Sequence, residues 1–397
     1  MFSEVTARLL TDRLLHNLRT LRALIGPQTR LCAALKANAY GHGMSLVAPI
    51  LQKGGADMAA VAQLDEAIEL RRIGWTRPIL VFGHVLGGLE SAKRRERIDT
   101  ALGHQLILTV TEDGDLLRDI DAAARSAGRP LSVHLKIDTG MGRMGFTPDE
   151  GLDALREAAT MRGLRICGVY SHLATADEAN DEHVRRQLSR FDAFLASAAP
   201  LLPEGALRHV ANTAAALRFP EARLDLVRIG LGLYGYHPSE VTRPLADLRP
   251  ALRVTSRVTE MKWLPTGHCI GYGCTVWTQR RTRIGIVPVG YGDGYWRALS
   301  NHAIVGMSQG DAPVVGRISM DQMAIDLTDL PDAAAGDSVV LLDETRSRPN
   351  SVESTAKLLS AIPYEVTCSL GSRIARSADA AVSARVEPQI ALAAGVI

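Results

Sequence analysis

Residues 31–43 of the chain read Leu31-Cys32-Ala33-Ala34-Leu35-Lys36-Ala37-Asn38-Ala39-Tyr40-Gly41-His42-Gly43. Five apolar residues run straight into Lys36, and small residues with two glycines then precede a helical apolar pattern at 44–51. Such a run is typical of a strand buried on both faces of a parallel sheet. The stretch therefore predicts strand, loop and helix, with the lysine at the strand's carboxyl end. Burial there lowers the pKa of an ammonium and frees the amine to form an imine with a carbonyl compound, although a lone lysine is more often an exposed loop residue.

The same rhythm of strand and helix continues to about residue 229. Strand-like apolar runs lie near 31–35, 58–61, 78–82, 105–110, 131–137, 164–170, 207–211 and 225–229. Eight such units predict a parallel (β/α)8 barrel of the TIM type rather than an open sheet. After Pro238, short alternating stretches between turn residues predict a separate, mainly β domain. The expected fold is thus α/β, with a barrel at 1–238 and a β domain at 239–397, in which 351–359 is helical and the apolar tail 386–397 has no pattern.

Composition limits the classes of partner and compartment. The 397 residues carry a formal charge of +2 without a long run of one sign, which argues against a nucleic-acid partner and favours a small molecule. The five cysteines are scattered without a CxxC pair, so we expect reduced thiols and no metal centre. The start of the chain lacks the apolar core of a signal peptide, and no apolar run reaches membrane-spanning length. We expect a cytoplasmic protein without a membrane partner.

Residues 31–43 resemble the pyridoxal-phosphate site of the alanine racemase family. The resemblance implies that Lys36 carries pyridoxal 5'-phosphate as an imine and that the Tyr40 hydroxyl binds its phosphate. Further stretches that resemble motifs of this family lie at the carboxyl ends of later strands, where barrel enzymes place their chemistry. They are Lys136 with Asp138-Thr139-Gly140-Met141-Gly142-Arg143, Ser171-His172, Asn212-Thr213 and Arg228-Ile229-Gly230. The similarity extends over about residues 5 to 380.

The resemblance implies a role for each of these barrel residues. Arg143 would hold the substrate carboxylate, and Lys136, which is carbamylated in many family members, would orient it as an anion. Arg228 would face the pyridine nitrogen and leave it unprotonated, because a guanidinium holds its proton far more tightly than pyridine does. The weaker electron sink that results should suppress side reactions. The phosphate would be bound by Asn212, Thr213, Gly230 and Leu231, and by Tyr364 of the second domain.

Racemisation needs a base on each face of the substrate's alpha carbon, and Lys36 supplies only one. The segment Gly271-Tyr272-Gly273-Cys274-Thr275 resembles the family segment that holds the other base, which makes Tyr272 the candidate. A free tyrosine has a pKa near about 10 and needs help to act near neutral pH. By resemblance, His172 would hydrogen-bond to Tyr272 and be backed by Arg228.

Two further segments of the β domain, 289–295 and 316–322, also resemble family motifs. They imply that Tyr291 narrows the entrance and that the Met320 amide, next to Asp321, binds the substrate. Family members are head-to-tail homodimers in which Tyr272, Tyr291 and Met320 enter the partner's barrel. A monomer would then lack its second base.

Each motif also has an interpretation without catalysis. Residues 140–145 fit the dinucleotide pattern GxGxxG, but they follow a fifth strand and lead into Phe146-Thr147-Pro148 instead of directly opening a helix. Taken singly, His172 and Tyr272 would be packing residues, Arg228 would form a surface ion pair and Thr213 would cap a helix. The coincidence of family motifs with the strand ends favours the catalytic interpretation.

The sequence therefore predicts an alanine racemase that interconverts L-alanine and D-alanine, either for peptidoglycan or in D-alanine catabolism. Lys36 should act on the D face and Tyr272 on the L face. A decarboxylase of the same architecture would instead need a carboxylate at the pyridine nitrogen and a cysteine from the second domain, and a non-catalytic cofactor carrier would need only the barrel. Departures from the family pattern are Cys274, beside the proposed base, and the missing proline in 371–376. Cys274 leaves the substrate range open, with serine as the nearest competitor of alanine.

Overall fold

The computed structural model describes residues 3–111 and 114–379. A first strand, β1 (Thr6–Leu9), and a first helix, α1 (Thr11–Ile25), precede eight strands that form one parallel sheet. These strands are β2 (Arg30–Ala34), β3 (Met58–Val61), β4 (Ile79–Val81), β5 (Ile107–Val110), β6 (Leu131–Lys136), β7 (Leu164–Tyr170), β8 (Leu207–His209) and β9 (Leu226–Ile229). Each of the eight overlaps a run that the sequence predicts as a strand.

The parallel sheet closes almost completely into a barrel. Strand β9, the last of the eight along the chain, pairs in parallel with β2, the first, which leaves a seam between β8 and β9. Two backbone hydrogen bonds bridge the remaining seam, from Asp225 N to Arg208 O at 3.1 Å and from Arg228 N to Ala211 O at 3.0 Å. The predicted (β/α)8 architecture is confirmed, and the carboxyl ends of all eight strands meet at one mouth.

Helices surround the barrel because their apolar residues recur on one face. They are α2 (Lys36–Tyr40), α3 (Met44–Lys53), α4 (Leu64–Arg72), α5 (Ser91–Gly103), α6 (Asp115–Ser126), α7 (Pro148–Ala159), α8 (Glu182–Ala198) and α9 (Thr213–Arg218). Of these, α2 is a single irregular turn. Only short 3-10 turns at Leu231–Tyr234 and Glu240–Leu245 follow β9 before the second domain begins.

The second domain is built on a nine-stranded sheet. Its strands after β9 are β10 (Leu252–Arg257), β11 (Glu260–Leu264), β14 (Thr282–Val287), β15 (Ile304–Met307), β16 (Gly310–Val315), β17 (Met323–Asp326), β18 (Ser338–Leu342) and β19 (Ala375–Ala378), and β12 (Cys269–Ile270) pairs with β13 (Val276–Trp277) as a separate hairpin. Two helices, α10 (Val352–Leu358) and α11 (Pro363–Cys368), complete the domain. The helix near 351–359 is present, and the alternating stretches that the sequence predicts as strands, near 252–258, 283–289, 303–307, 313–318, 323–327 and 338–342, each overlap a strand. Strands β1, β11 and β19, the hairpin and helix α11 were not predicted from the sequence.

Strand β1 lies in this second sheet, although the expected division assigns it to the barrel. Thr6–Leu9 pairs antiparallel with β10 and in parallel with β19. Buried and more exposed side chains alternate along these four residues, as in other strands. So short an alternation does not indicate which sheet the strand joins. Strand β1 thus belongs to the sheet of the β domain, although helix α1 and the barrel strands follow it directly in the chain. The tail 386–397 lies outside the described residues, and every helix within the described ranges is too short or too polar to span a lipid bilayer.

Candidate active site

A cavity of about 330 Å³ opens at the carboxyl ends of the barrel strands. It gathers residues from seven of the eight strand ends together with one residue of the second domain. Eleven of the residues predicted from the sequence line it, namely Lys36, Tyr40, Lys136, Arg143, His172, Asn212, Thr213, Arg228, Gly230, Leu231 and Tyr364. The structure therefore brings the barrel part of the predicted site together in one place.

Lys36 begins a turn whose backbone is left-handed. Residues 37–40 all have φ between 52° and 55°, although none of them is glycine. Each such residue costs about 1 kcal/mol or more, so neighbouring groups must hold the turn. The Glu66 carboxylate accepts the Ala37 amide at 2.6 Å, and the buried His42 ring binds the carbonyl oxygens of Ala39 and Tyr40 at 3.1 Å and 2.9 Å. These hydrogen bonds keep the strained turn in place, so the backbone after Lys36 has a fixed conformation before any ligand binds.

The second domain packs directly on this turn. Gly41 has a φ of 79°, and a Cβ at this position would collide with the carbonyl oxygen of Thr367 in α11. Arg376 also donates from Nε to the Gly41 carbonyl at 2.8 Å. The same approach brings the Tyr364 ring to 5.8 Å from the Tyr40 ring. One chain therefore supplies a cavity wall from both of its domains.

The polar corner formed by β8 and β9 differs in detail from the prediction. Asn212, rather than Thr213, caps helix α9, because its Oδ1 accepts the Ala215 amide at 3.0 Å. The Thr213 hydroxyl instead accepts the Gly230 amide at 3.1 Å. A Cβ on Gly230 would collide with the Tyr40 hydroxyl, so glycine is needed to bring these groups together. The corner is compact and rich in hydroxyl groups.

The Arg228 guanidinium is buried and held by four acceptors. Nη1 donates to His209 Nδ1 at 2.8 Å, and Nη2 donates to the carbonyls of Ser171 and Val210 and to His172 Nδ1 at 2.8, 3.0 and 3.1 Å. Burial lowers the pKa of Arg228 to about 10, so the group stays charged near neutral pH. Because arginine can only donate, His172 must carry its own proton on Nε2.

The cavity has an excess of positive charge. Burial, reinforced by Arg143 and Arg228, lowers the pKa of Lys136 to about 8. Burial and Arg143 likewise lower the pKa of Lys36, and burial together with Arg228 holds the pKa of His172 well below its usual value. Neutral amines and a neutral imidazole are consequently accessible near neutral pH, which suits them to exchange protons.

Arg143 is presented by a loop wrapped around one carboxylate. Asp138 accepts the amides of Gly140, Met141 and Gly142, each at 2.8 Å. Although burial opposes it, these amides hold the pKa of Asp138 below its usual range. In a dinucleotide site such glycine-loop amides would bind the cofactor phosphates. Here the Asp138 carboxylate binds these amides, so the GxGxxG loop positions Arg143 instead of binding a cofactor phosphate.

Four predicted residues of the second domain do not line this cavity. Tyr272, Tyr291 and Met320 are 72%, 44% and 53% exposed. Asp321 is exposed as well and forms an ion pair with Arg373 at 2.7 Å. Tyr272 lies instead in a shallow surface depression beside β12 and β17. Within one chain, the barrel residues and these four residues form two separate groups.

Sequence reasoning missed three buried residues beneath Arg228. Tyr170 stacks on His209 with the ring centroids 4.8 Å apart, and the guanidinium lies 5.1 Å from the Tyr170 ring. His209 Nε2 in turn binds His134 Nδ1 at 2.9 Å. The sequence could have indicated His134, because it lies two residues before Lys136 in β6 and side chains two residues apart in a strand point to the same face.

Comparison with known proteins agrees with this geometry. The model of the alanine racemase N-terminal domain matches residues 10–238, and that of the C-terminal domain matches residues 251–378. The alanine racemase of Desulforamulus reducens is 40% identical over 378 residues, covering 95% of this chain and 99% of the relative. The alanine racemase structure from Clostridium difficile 630 has a TM-score of 0.89 at 32% identity, with 96% of both chains covered. The alanine racemase structure from E. faecalis has a TM-score of 0.85 at 35% identity, with 95% of this chain and 98% of that chain covered. Two matching domain models and near-complete coverage together show that the chain belongs to the alanine racemase family.

Proposed function

We propose that the chain is a pyridoxal-phosphate-dependent racemase that interconverts L-alanine and D-alanine. The observation that carries the proposal is one cavity containing both the amine of Lys36 and the buried guanidinium of Arg228. No carboxylate from the described ranges lines this cavity. The decarboxylase alternative needs a carboxylate at the pyridine nitrogen, so the cavity favours the racemase.

The residues of the cavity fit pyridoxal 5'-phosphate by their chemistry. Hydroxyl groups of Tyr40, Thr213 and Tyr364 surround the corner at Gly230, where a phosphate would be accepted. Lys36 would offer its amine to the cofactor's carbonyl carbon, and Arg228, fixed by its acceptors, would face the ring nitrogen as a cation. When bound, the cofactor supplies an electrophilic carbonyl and a ring that withdraws electrons from the substrate's alpha carbon. The close contact between Tyr40 and Gly230 leaves no room for a Cβ, which fits a corner shaped around a ligand.

Lys36 and Tyr272 are the two groups that move the proton on the alpha carbon. Lys36 takes it from, or returns it to, the D face, and burial together with Arg143 lowers the pKa of its amine, which favours the neutral form. Tyr272 acts on the L face. His172 carries its proton on Nε2, since Arg228 occupies Nδ1, and can therefore donate to the Tyr272 oxygen. That hydrogen bond stabilises the tyrosinate form and makes Tyr272 a usable base.

Arg143 and Lys136 position the substrate carboxylate. The Asp138 loop holds Arg143 with its guanidinium at the cavity, where it can make paired hydrogen bonds to a carboxylate. Lys136 is nearly buried with a pKa of about 8, so a substantial fraction of its amine is neutral and can react with carbon dioxide. The resulting carbamate would reverse its charge and orient Arg143. Met320 and Asp321 complete the substrate site, and Tyr291 narrows its entrance.

The second base comes from a second copy of the chain. Tyr272, Tyr291 and Met320 are large, largely apolar and exposed, and an isolated chain gains nothing from exposing them. A head-to-tail homodimer would bury all three against the partner's barrel. The partner's Tyr272 would then meet the Lys36 of the first chain across the alpha carbon. In this arrangement each active site belongs to two subunits.

Five free cysteines in the described residues suit a reducing compartment, which supports a cytoplasmic location. There the enzyme would supply D-alanine for peptidoglycan or remove it in catabolism. Substrate breadth toward serine would be limited by Tyr364 and Met144, which line the cavity.

Subunit mixing tests the shared site and the two bases together. Lys36→Ala and Tyr272→Phe chains carrying different affinity tags are co-expressed, and the heterodimer is purified through both tags. If sites are shared, one of the two contains Lys36 from one chain and Tyr272 from the other, so about half of the wild-type activity returns. The measurement is the rate of change of optical rotation of L-alanine.

The matched control pairs the wild-type chain with the double variant Lys36→Ala/Tyr272→Phe. Shared sites leave this heterodimer inactive, whereas sites contained in single chains would give it half activity and leave the first heterodimer inactive. Release of carbon dioxide from alanine by the wild-type enzyme would establish the decarboxylase instead, and binding of the cofactor without either reaction would establish a carrier.

A further inference from the structure

We propose that the opposite, amino-terminal mouth of the barrel binds a multiply charged oxyanion of the phosphate type. A cavity of about 560 Å³ lies there, lined by the first residues of several barrel strands, such as Arg30, Met58 and Leu131. It is larger than the active-site cavity of about 330 Å³. Four arginines line it, and no acidic residue from the described ranges does. The site is separate from the proposed racemase chemistry and does not depend on it.

None of the four arginines of this cavity contacts an anion among the described residues, although Arg30, after Arg208, helps to lower the pKa of the nearby Asp225 carboxyl. The side chains of Arg30 and Arg129 form no hydrogen bond and no ion pair with the described residues within normal contact distances. The nearby Asp225 is already bound on both oxygens by Arg208, at 2.7 and 2.9 Å. Several guanidinium groups around one cavity attract anions and recognise oxyanions through paired hydrogen bonds.

The other two arginines are held in position before any ligand arrives. Arg165 donates from Nε and Nη2 to the Ser132 hydroxyl at 3.0 and 2.6 Å, which leaves its Nη1 unoccupied among the described groups. Arg71 is fixed by hydrogen bonds to four backbone carbonyls, those of Trp75, Arg77, His104 and Gln105. Fixed donors lose less conformational entropy on binding, so this part of the cavity is preorganised.

A buried histidine on the inner wall supplies the independent observation. His134 lines the cavity and is fully buried, and its Nε2 has no hydrogen-bond partner within the described chain. Arg228 can only donate to His209 Nδ1, so the His209 proton lies on Nε2 and is donated to His134 Nδ1. The His134 proton must then lie on Nε2. The network thus leaves a donor without an acceptor in the wall of the cavity, which adds to the local excess of donors.

All of these groups are donors, which selects the class of ligand. Guanidinium groups and the Ser132 hydroxyl suit an anion with several oxygen atoms. Apart from His134, the described residues that line the cavity include no aromatic ring, so none of them would stack on a nucleotide base. A small phosphate compound without a base, such as pyrophosphate, matches the volume and the charge.

Calorimetric titration of inorganic pyrophosphate into the purified full-length protein with its cofactor tests the site. We expect one binding event per chain that weakens steeply as sodium chloride is added, because the contacts are partly exposed charges. The variant Arg129→Gln/Arg165→Gln should bind about tenfold more weakly or worse, because two charge-assisted contacts are lost. Saturating alanine should not compete, since the active site lies at the other mouth.

The matched control is Arg19→Gln/Arg281→Gln, which removes two exposed arginines outside the cavity. It should bind pyrophosphate like the wild type. Equal affinity of the cavity variant and the wild type, no measurable binding by the wild type, or displacement by alanine would each overturn the proposal. If the cavity variant does not fold, wild-type crystals soaked in pyrophosphate decide the question, and density between Arg129 and Arg165 is the expected result.

Discussion

The two halves of the proposed racemase site differ in how completely a single chain builds them. The barrel half is packed and buried, with Arg228 held by four acceptors and Lys36 on a turn that its neighbours hold under strain. The second-domain half is exposed, and Tyr272 leaves 72% of its surface in solvent. A single chain can therefore preorganise one base but not the other. The comparison teaches that the cofactor side is a property of the fold, whereas the opposite face depends on assembly.

The largest expected effect comes from the buried half. Lys36→Ala removes both the cofactor's attachment point and one base, so racemisation should fall by at least about 10⁴-fold in both directions. The measurement is the initial rate from each alanine enantiomer, together with the visible absorbance of bound cofactor. Lys53→Ala, an exposed lysine in α3, is the control and should keep full activity. Substantial racemisation by the Lys36 variant would refute its assignment.

The exposed half should give a smaller and directional effect. Tyr272→Phe keeps the ring but removes the hydroxyl, so we expect a loss of about 10²- to 10⁴-fold. In deuterated water, exchange at the alpha carbon of D-alanine through Lys36 should survive better than exchange of L-alanine. Trp277→Phe, at an exposed neighbour in β13, is the matched control. Equal loss of exchange for both enantiomers would remove Tyr272 as the face-specific base.

The buried half should also make stability sensitive to acid. Burial lowers the pKa of His42 to about 4 and that of His134 to about 3, and it holds the pKa values of His172 and His209 well below their usual value. In the unfolded chain these rings take up protons near pH 6.5. Above about pH 6.5 the rings are neutral in both states and cost no stability. Below that pH only the unfolded chain takes up the protons, so the free energy of unfolding falls by roughly 1.4 kcal/mol per pH unit for each histidine until the pKa of the folded state is reached.

Urea unfolding at pH 7 and pH 5.5 measures this dependence. The variant His42→Gln removes one titrating group and should show a correspondingly shallower loss of the free energy of unfolding. An unchanged slope, or greater stability at the lower pH, would show that these rings are not held neutral in the folded barrel.

The smallest effect is expected at the boundary between the two halves. Arg143 is exposed at the cavity, and only the loop around Asp138 positions it. Arg143→Lys keeps the charge but loses the paired geometry, so KM for alanine should rise about tenfold while the free energy of unfolding stays unchanged. Steady-state kinetics and thermal unfolding check the two parts separately. A change in kcat alone would mean that Arg143 acts on the transition state rather than on substrate binding.

Local sequence patterns were sufficient for the barrel, and together with the family resemblance they located its half of the proposed site. Apolar runs such as 31–35 mark buried parallel strands, and in a closed parallel barrel all carboxyl ends meet at one mouth. Lys36, Lys136 and Arg228 could therefore be placed in one cavity without any contact information. This works because strand periodicity and barrel geometry leave little freedom in where a strand end lies.

Only the tertiary structure decided which segments pair across long distances in the chain. Thr6–Leu9 was not predicted as a strand, because its pairing with β10 and β19 depends on partners far along the chain. The His134–His209–Arg228 network is likewise invisible until β6, β8 and β9 close the barrel. The same holds for Thr213, whose hydroxyl binds the Gly230 amide instead of capping its own helix. Sequence patterns report each residue's local preference, whereas hydrogen-bond partners are set by which surfaces the folded chain brings together.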